Sequence, residues 1–210
     1  MANTQVQFGF QHIGYLPGYA PDYQPQTFPI LRTFSGVIGF GDPVGKLNAT
    51  SPYIGYATTA AGGNATTPIM GVFAGCQYTP SGGLGIPVWS PGWPGNTVAA
   101  DATAYVISSP GALFKVAALN TAISSANVGE VVGFTSAVAA TTVGGMFSGA
   151  TIDQSTVTAS AVGTYSGTTF SMLPFKIISL YQGVGNGSDP TTAYNWAVVG
   201  FNNQLWRMPY

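Results

Sequence analysis

Charge is what this chain has least of. Its 210 residues hold five Lys/Arg and six Asp/Glu, so charged side chains are 5% of the sequence; ordinary soluble domains carry about a quarter. The net charge is −1, and Arg32, Lys46, Lys115, Lys176 and Arg207 are scattered without a basic run. No nucleic-acid partner is expected, and no attraction to anionic lipid. The one cysteine, Cys76, excludes an internal disulfide, fits a reducing compartment of synthesis and reads as a buried structural thiol. The one histidine, His12, leaves residues 34–210 without the usual base for acid–base or nucleophilic catalysis. Cys and His together are too few for a structural zinc site. The acids Asp22, Asp42, Asp101, Glu130, Asp153 and Asp189 stand twenty or more residues apart. They offer no calcium cluster and no evident glycosidase pair. An enzyme is therefore not expected, nor a metal or cofactor.

Long uninterrupted apolar runs are missing too. Val131 to Ile152 has only Glu130 and Asp153 as charged neighbours, but Gly133, Gly144, Gly145 and Gly149 break it. Leu47 to Ala100 is also free of charge and full of proline. Neither suits a spanning helix, and no membrane partner is expected. Met1 to Gln5 shows no positive region or apolar stretch, so no secretory leader is expected. The sequons beginning at Asn48, Asn64 and Asn186 then read as incidental. Gly41-Asp42-Pro43-Val44-Gly45-Lys46-Leu47 resembles a phosphate loop only faintly. It has three residues between its glycines, and no Ser/Thr after the lysine. Gly183 to Gly187 has no βαβ context for a dinucleotide.

What is present is glycine (29), proline (15) and aromatic residues (13%), within a chain that is 46% hydrophobic. Residues 1–33 read as an extended N-terminal arm. Pro17, Pro21, Pro25 and Pro29, with Gly9, Gly14 and Gly18, prevent helix and interrupt any ladder. Phe8, Phe10, Tyr15, Tyr19 and Tyr23 are spaced along it as adhesive points, laid either on the protein's own body or on a neighbour. From Thr33 onward the signals are β: Phe34–Phe40, Tyr53–Ala57, Ile69–Gly75, Thr103–Ser108, Ala112–Ala117, Phe175–Leu180 and Tyr194–Phe201. Ser155–Val162 alternates, with Val157, Ala159 and Ala161 on one face and Thr156, Thr158 and Ser160 on the other. Only Ala118–Ala126 suits a short helix. The expectation is an all-β protein: the arm, then one or two small β-barrel or sandwich units. Residues 34–126 and 173–210 would form the main unit, and 127–172 a smaller inserted one.

Trp89-Ser90-Pro91-Gly92-Trp93-Pro94-Gly95 is the most distinctive local stretch. Two tryptophans in a Pro/Gly loop fit a plug for the end of a β unit, an anchor for a protein contact, or a platform for a sugar ring. A surface so poor in ions loses little on meeting another protein, because few charges need desolvating. The composition therefore points to a subunit that sits against neighbours in a large assembly.

Several segments, in order, carry a resemblance. Gly71-Val72-Phe73-Ala74-Gly75-Cys76-Gln77-Tyr78 precedes Ser90-Pro91-Gly92-Trp93-Pro94-Gly95, then Asp101-Ala102-Thr103-Ala104-Tyr105-Val106, Ser109-Pro110 and Phe114-Lys115-Val116. Phe175-Lys176-Ile177-Ile178 and Asn202-Asn203-Gln204-Leu205 follow. This order resembles a family of tailed-bacteriophage head proteins that decorate or cement the shell. It covers roughly residues 34–118 and 173–210, with Ser109 where that family has an acidic residue. The resemblance implies a capsid decoration protein on the exterior of the virion, made in the host cytoplasm. It would bind the major capsid protein lattice and stabilise the head by bridging capsomers. It would act as a homo-oligomer or beside neighbouring copies, with no catalytic residues. The arm aromatics, and Trp89 and Trp93, are the candidate contacts. A carbohydrate-binding or host-facing head-fibre module is the alternative.

Overall fold

The structure is a computed structural model, and it describes residues 3, 4, 6, 8–21, 24–48, 50–57, 69–81, 84–95, 99, 101–135, 146–158, 163–165, 168–170 and 173–205. The protein is all-β. Its strands are β1 (Gln11–Tyr15), β2 (Gln26–Pro29), β3 (Pro43–Lys46), β4 (Ile54–Tyr56), β5 (Ile69–Tyr78), β6 (Val88–Ser90), β7 (Thr103–Ile107), β8 (Ala112–Ala117), β9 (Val131–Thr135), β10 (Thr151–Thr158), β11 (Gly163–Tyr165), β12 (Thr168–Phe170), β13 (Phe175–Leu180) and β14 (Trp196–Phe201). The first six-stranded sheet runs β1-β8-β14-β13-β9-β10. The second runs β2-β7-β5-β3-β4, with β6 also on β5, and β11 and β12 form a separate hairpin. Pairing within these sheets is antiparallel.

The inner face of the first sheet follows from period-two alternation. Phe114 and Val116 of β8, Val132 and Phe134 of β9, Phe175 and Ile177 of β13, and Val199 and Phe201 of β14 all point into one buried cluster. Ile69 and Val72 of β5 close it from the second sheet. Phe10 sits at the centre of the aromatic part. Its ring stacks on Phe175 at 4.4 Å between centroids and meets Phe114 and Phe134 edge-on. The opposite face of the second sheet builds another core. Val44, Met70, Phe73, Cys76, Ala104 and Val106 pack there against Ile30, Ile38, Trp93 and Ala99 from loops. β5 is therefore covered on both sides, which suits its near-continuous apolar sequence.

The N-terminal arm belongs to its own body. β1 pairs with β8 at the edge of the first sheet, and β2 pairs with β7 at the edge of the second. The prolines do not prevent this, because Pro17, Pro21 and Pro25 lie between the strands. Pro29 ends β2 at a sheet edge, where its missing N–H is tolerated. Gly9 makes the entry possible. Phe8 lies against Lys115 and Trp196, which alternate away from the inner face, whereas Phe10 is inside. The turn between them has φ +67° at Gly9, and a Cβ there would lie 2.4 Å from Cβ of Ser148. Only glycine fits both demands.

Three other expectations change. Phe34–Phe40 forms no strand; Ile38 and Phe40 make isolated bridges, to Trp93 and Phe147. Gly36 and Gly39 break the run, and a Cβ at Gly39 would meet the Ser148 backbone at 2.7 Å. Ala118–Ala126 holds only a 3₁₀ turn at Ser125–Asn127. Asn120 has φ 48°, and the Asn195 side chain takes the Ile123 N–H and donates to its carbonyl, as a strand would. β10 begins at Thr151, and its pairing with β9 shifts register after Asp153. Thr156, expected on the wet face, is buried; its Oγ1 accepts the Gly133 N–H and donates to the Asp153 carbonyl. Ala159 and Ala161 lie outside the described residues. β9 and β10, from the stretch expected to fold as a smaller inserted unit, extend the first sheet beside β13.

Removing residues 1–30 strips an edge strand from each sheet and the Phe10 ring from the core, so the remainder is expected to be insoluble or unfolded. In the full chain, Phe10→Ala is expected to cost about 3–5 kcal/mol. Urea unfolding measures this, and a cost under about 1 kcal/mol would show that Phe10 is not central.

Candidate functional site

The residues singled out in the sequence part company in space. Phe10 is 1% exposed and Trp93 0%. Trp93 plugs the second core: it pairs through its backbone with Ile38, its Nε1–H donates to the Phe34 carbonyl at 3.2 Å, and its ring meets Tyr78 edge-on. These two are structural, not contact groups. Tyr15 is half-buried against the first core and edge-on to His12. Tyr19 is exposed, with its ring over Gly111, where a Cβ would lie 2.3 Å from it. Tyr23 lies outside the described residues.

Phe8 is half-buried on the outer face of the first sheet. There the Lys115 ammonium lies 4.6 Å from the Trp196 ring, 5.2 Å from Phe8 and 5.3 Å from Tyr181. Such cation–π contacts hold the arm where a strand ladder does not. Ahead of it, Asn3 and Thr4 are hydrogen-bonded into the loop after β13, through Asn186, Gly187 and Asp189. The segment is thus latched at both ends of residues 3–10.

Trp89 is the exposed member of the pair, at 61%. It sits on β6 opposite Gln77, and its ring lies against Gly75, where φ is +117° and a Cβ would approach it to 2.9 Å. The β5–β6 connection adds Leu84 at 93% exposure and Ile86 at 62%, and β6 itself adds Val88. Sequence reasoning missed these three. Their signal was apolar residues at every second position between glycines and proline, the pattern of a hairpin arm with nothing over it. The stretch from Leu47 to Ala100 supplies no charge to this hairpin.

A cleft of about 220 Å³ opens beside β1 and the residues just before β2, lined by His12, Tyr15, Gln24, Ile107, Ser108 and Ser109. The arm thus brings the only histidine beside two serines. Among the described residues no hydrogen bond joins them: the imidazole Nε2 is buried without a partner, and burial holds the His12 pKa below its usual value. Among the described residues no three His, Cys, Asp or Glu cluster for a metal, and no helix is long and apolar enough to cross a membrane. Cys76 is buried, and burial pushes its thiol up to about 12.

Among the described residues Asp42 is the one buried carboxylate, and it ties the arm's entry together. It accepts the Gly39 N–H at 2.6 Å and the Ser148 hydroxyl, while Gly41 accepts the Phe10 N–H. Burial raises its pKa to about 6, against the pull of these two hydrogen bonds. No protein family, curated protein or solved structure matches this chain.

The two tryptophans are expected to separate on substitution. Trp93→Ala should cost about 3–5 kcal/mol, and Trp89→Ala under about 1 kcal/mol; equal losses in denaturant melts would contradict this placement. For Asp42, the folded chain keeps a proton that the unfolded chain releases near its ordinary value of 3.8. Stability from this group is therefore full below that value and is lost as pH rises through about 6. The loss is about 3 kcal/mol by neutrality. Asp42→Asn should flatten the wild-type fall between those pH values; identical pH profiles for the two proteins would refute it.

Proposed function

We propose that the protein is a decoration, or cement, subunit of a tailed-bacteriophage head. It binds the major capsid protein lattice from outside and stabilises the shell by bridging capsomers. The observation that carries this reading is the hairpin of Leu84, Ile86, Val88 and Trp89, exposed in a stretch free of charge. Clustered exposed apolar groups mark a surface intended for a partner. The hairpin's own residues carry no charge, and the nearby carboxylate, Asp101, is occupied by Thr79 at its base, so an uncharged partner surface is the one least costly to meet. The order of segments that resembles the head-protein family supports the same class.

The contact moves from the arm to the hairpin. Phe10 is committed to the core and Phe8 to the Lys115 cage, so docking falls to Trp89 and the residues before it. Hiding what the four hairpin side chains still expose is worth about 5 kcal/mol, at roughly 2 kcal/mol per fully exposed side chain. That is of the same order as the freedom lost on association. One hairpin therefore holds weakly. Repetition over a lattice, or an oligomer that presents several hairpins to adjacent capsomers, converts weak contacts into retention. The carbohydrate reading relied on Trp89 and Trp93 as a paired platform, and burial of Trp93 leaves a single ring.

Co-sedimentation with undecorated heads of the encoding phage tests this. Wild type should pellet with shells, and a Leu84→Asp/Ile86→Asp variant with an unchanged melting curve should stay in solution. A wild type that ignores shells, or a double variant that pellets equally well, would end the proposal.

A further inference from the structure

Asn186–Gly187 is the only Asn-Gly pair in the sequence. It is the dipeptide most open to self-modification, because glycine places no side chain between its backbone nitrogen and the preceding amide carbon. In that reaction the Gly187 nitrogen bonds to Cγ of Asn186 and gives its proton to water. The bond from Cγ to Nδ2 breaks, the departing nitrogen takes a proton from water and leaves as ammonia, and a cyclic succinimide remains. Water then adds to either ring carbonyl, which opens to aspartate or isoaspartate. No oxidant or reductant is needed.

The reacting groups are held by the N-terminal segment. The Gly187 N–H donates to Oδ1 of Asn3 at 2.9 Å. Nδ2 of Asn186 donates to the Thr4 carbonyl at 2.9 Å, and its Oδ1 accepts the Thr4 N–H at 2.6 Å. Asn3 is fixed in turn by donating its Nδ2 to the Asp189 carbonyl at 2.8 Å. Gly187 itself is buried, with the Trp196 ring 2.2 Å from where a Cβ would lie. The nitrogen that must attack and the amide that must be attacked are both engaged by residues 3 and 4.

We propose that Asn186–Gly187 is a spontaneous deamidation site guarded by Asn3 and Thr4, and that its modification releases the N-terminal segment irreversibly. While the segment is docked, neither group is free to react. When it lifts, the succinimide forms. The product carboxylate then faces the Thr4 carbonyl, an acceptor against an acceptor where a donor stood. An isoaspartate also lengthens the backbone at this point. The segment cannot dock again, and Phe8 leaves the Lys115 cage. The release stops at Gly9, because Phe10 stays in the core. This inference does not depend on the proposed capsid role.

The test ages the full chain in mildly alkaline buffer at physiological temperature, with modification followed by peptide mapping and isoaspartyl methyltransferase labelling. A synthetic peptide of residues 183–190 gives the unguarded rate, and the folded protein should react more slowly than it. Asn3→Ala should modify about fivefold faster than wild type, the factor that the free energy of one lost hydrogen bond supplies. In Asn186→Asp, which carries the product group from the start, the Thr4 amide should lose hydrogen-exchange protection while those of β1 keep theirs. The proposal is overturned if the folded protein reacts as fast as the peptide, if Asn3→Ala reacts at the wild-type rate, or if Thr4 stays protected in Asn186→Asp.

Discussion

The stacking of Phe10 on Phe175 is the contact on which the architecture turns. It brings the N-terminal segment through the edge of the first sheet into the aromatic cluster formed by β8, β9, β13 and β14. Everything at that edge follows from it. Gly9 must be glycine because the chain reverses face there against Ser148. The Phe10 N–H binds Gly41, which lies beside Asp42, so the same insertion fixes the buried carboxylate and its hydroxyl partner. Beyond it, β1 and β2 run to the edges of the two sheets, and β1 carries His12 into the cleft. Similar closure occurs at the other end of the chain, where the buried Gln204 amide donates to the carbonyls of Met70 and Ser108.

Among the described residues the cores and most cross-links are apolar or uncharged polar contacts, the Lys115 cage apart. Asp42 is another exception: it is a buried carboxylate with no cation beside it among the described residues, and Gly39 and Ser148 satisfy it only in part. Asn195 and Gln204 do the cross-linking that ion pairs do elsewhere, each joining two distant segments through a neutral amide. A hydrogen bond of this kind needs no charge to be desolvated, which suits a molecule whose surface is nearly ionless. The same scarcity of ions leaves the β5–β6 hairpin as a plain apolar projection.

The class of fold was legible because short β-branched and aromatic runs bounded by Gly and Pro are locally strong signals. Ala112–Ala117 is a strand with the bounds its sequence suggested, and Phe175–Leu180 is another. What was not legible is tertiary. Prolines in the arm argued against a ladder, yet they fall between the strands and at an edge, a placement that only the fold determines. Ala118–Ala126 has helical composition, but the side chain of Asn195, far away in sequence, captures Ile123. Trp89 and Trp93 look equivalent four residues apart, and only the pairing of Trp93 with Ile38 assigns one to the core and the other to solvent. Leu84 and Ile86 were overlooked because an exposed apolar residue and a buried one have the same letter.

The strand order of the first sheet also bears on synthesis. Its first strand lies beside the eighth, and the eighth beside the fourteenth. A nascent chain leaving the ribosome cannot close this sheet until residues near Phe201 emerge. Until then Phe10, Phe114 and Phe134 lack the cover of Phe175 and Phe201, and almost no charge in the chain discourages two growing chains from sticking together. Production in quantity should therefore favour slow translation, low temperature or a holdase able to shelter aromatic segments until the last strand arrives.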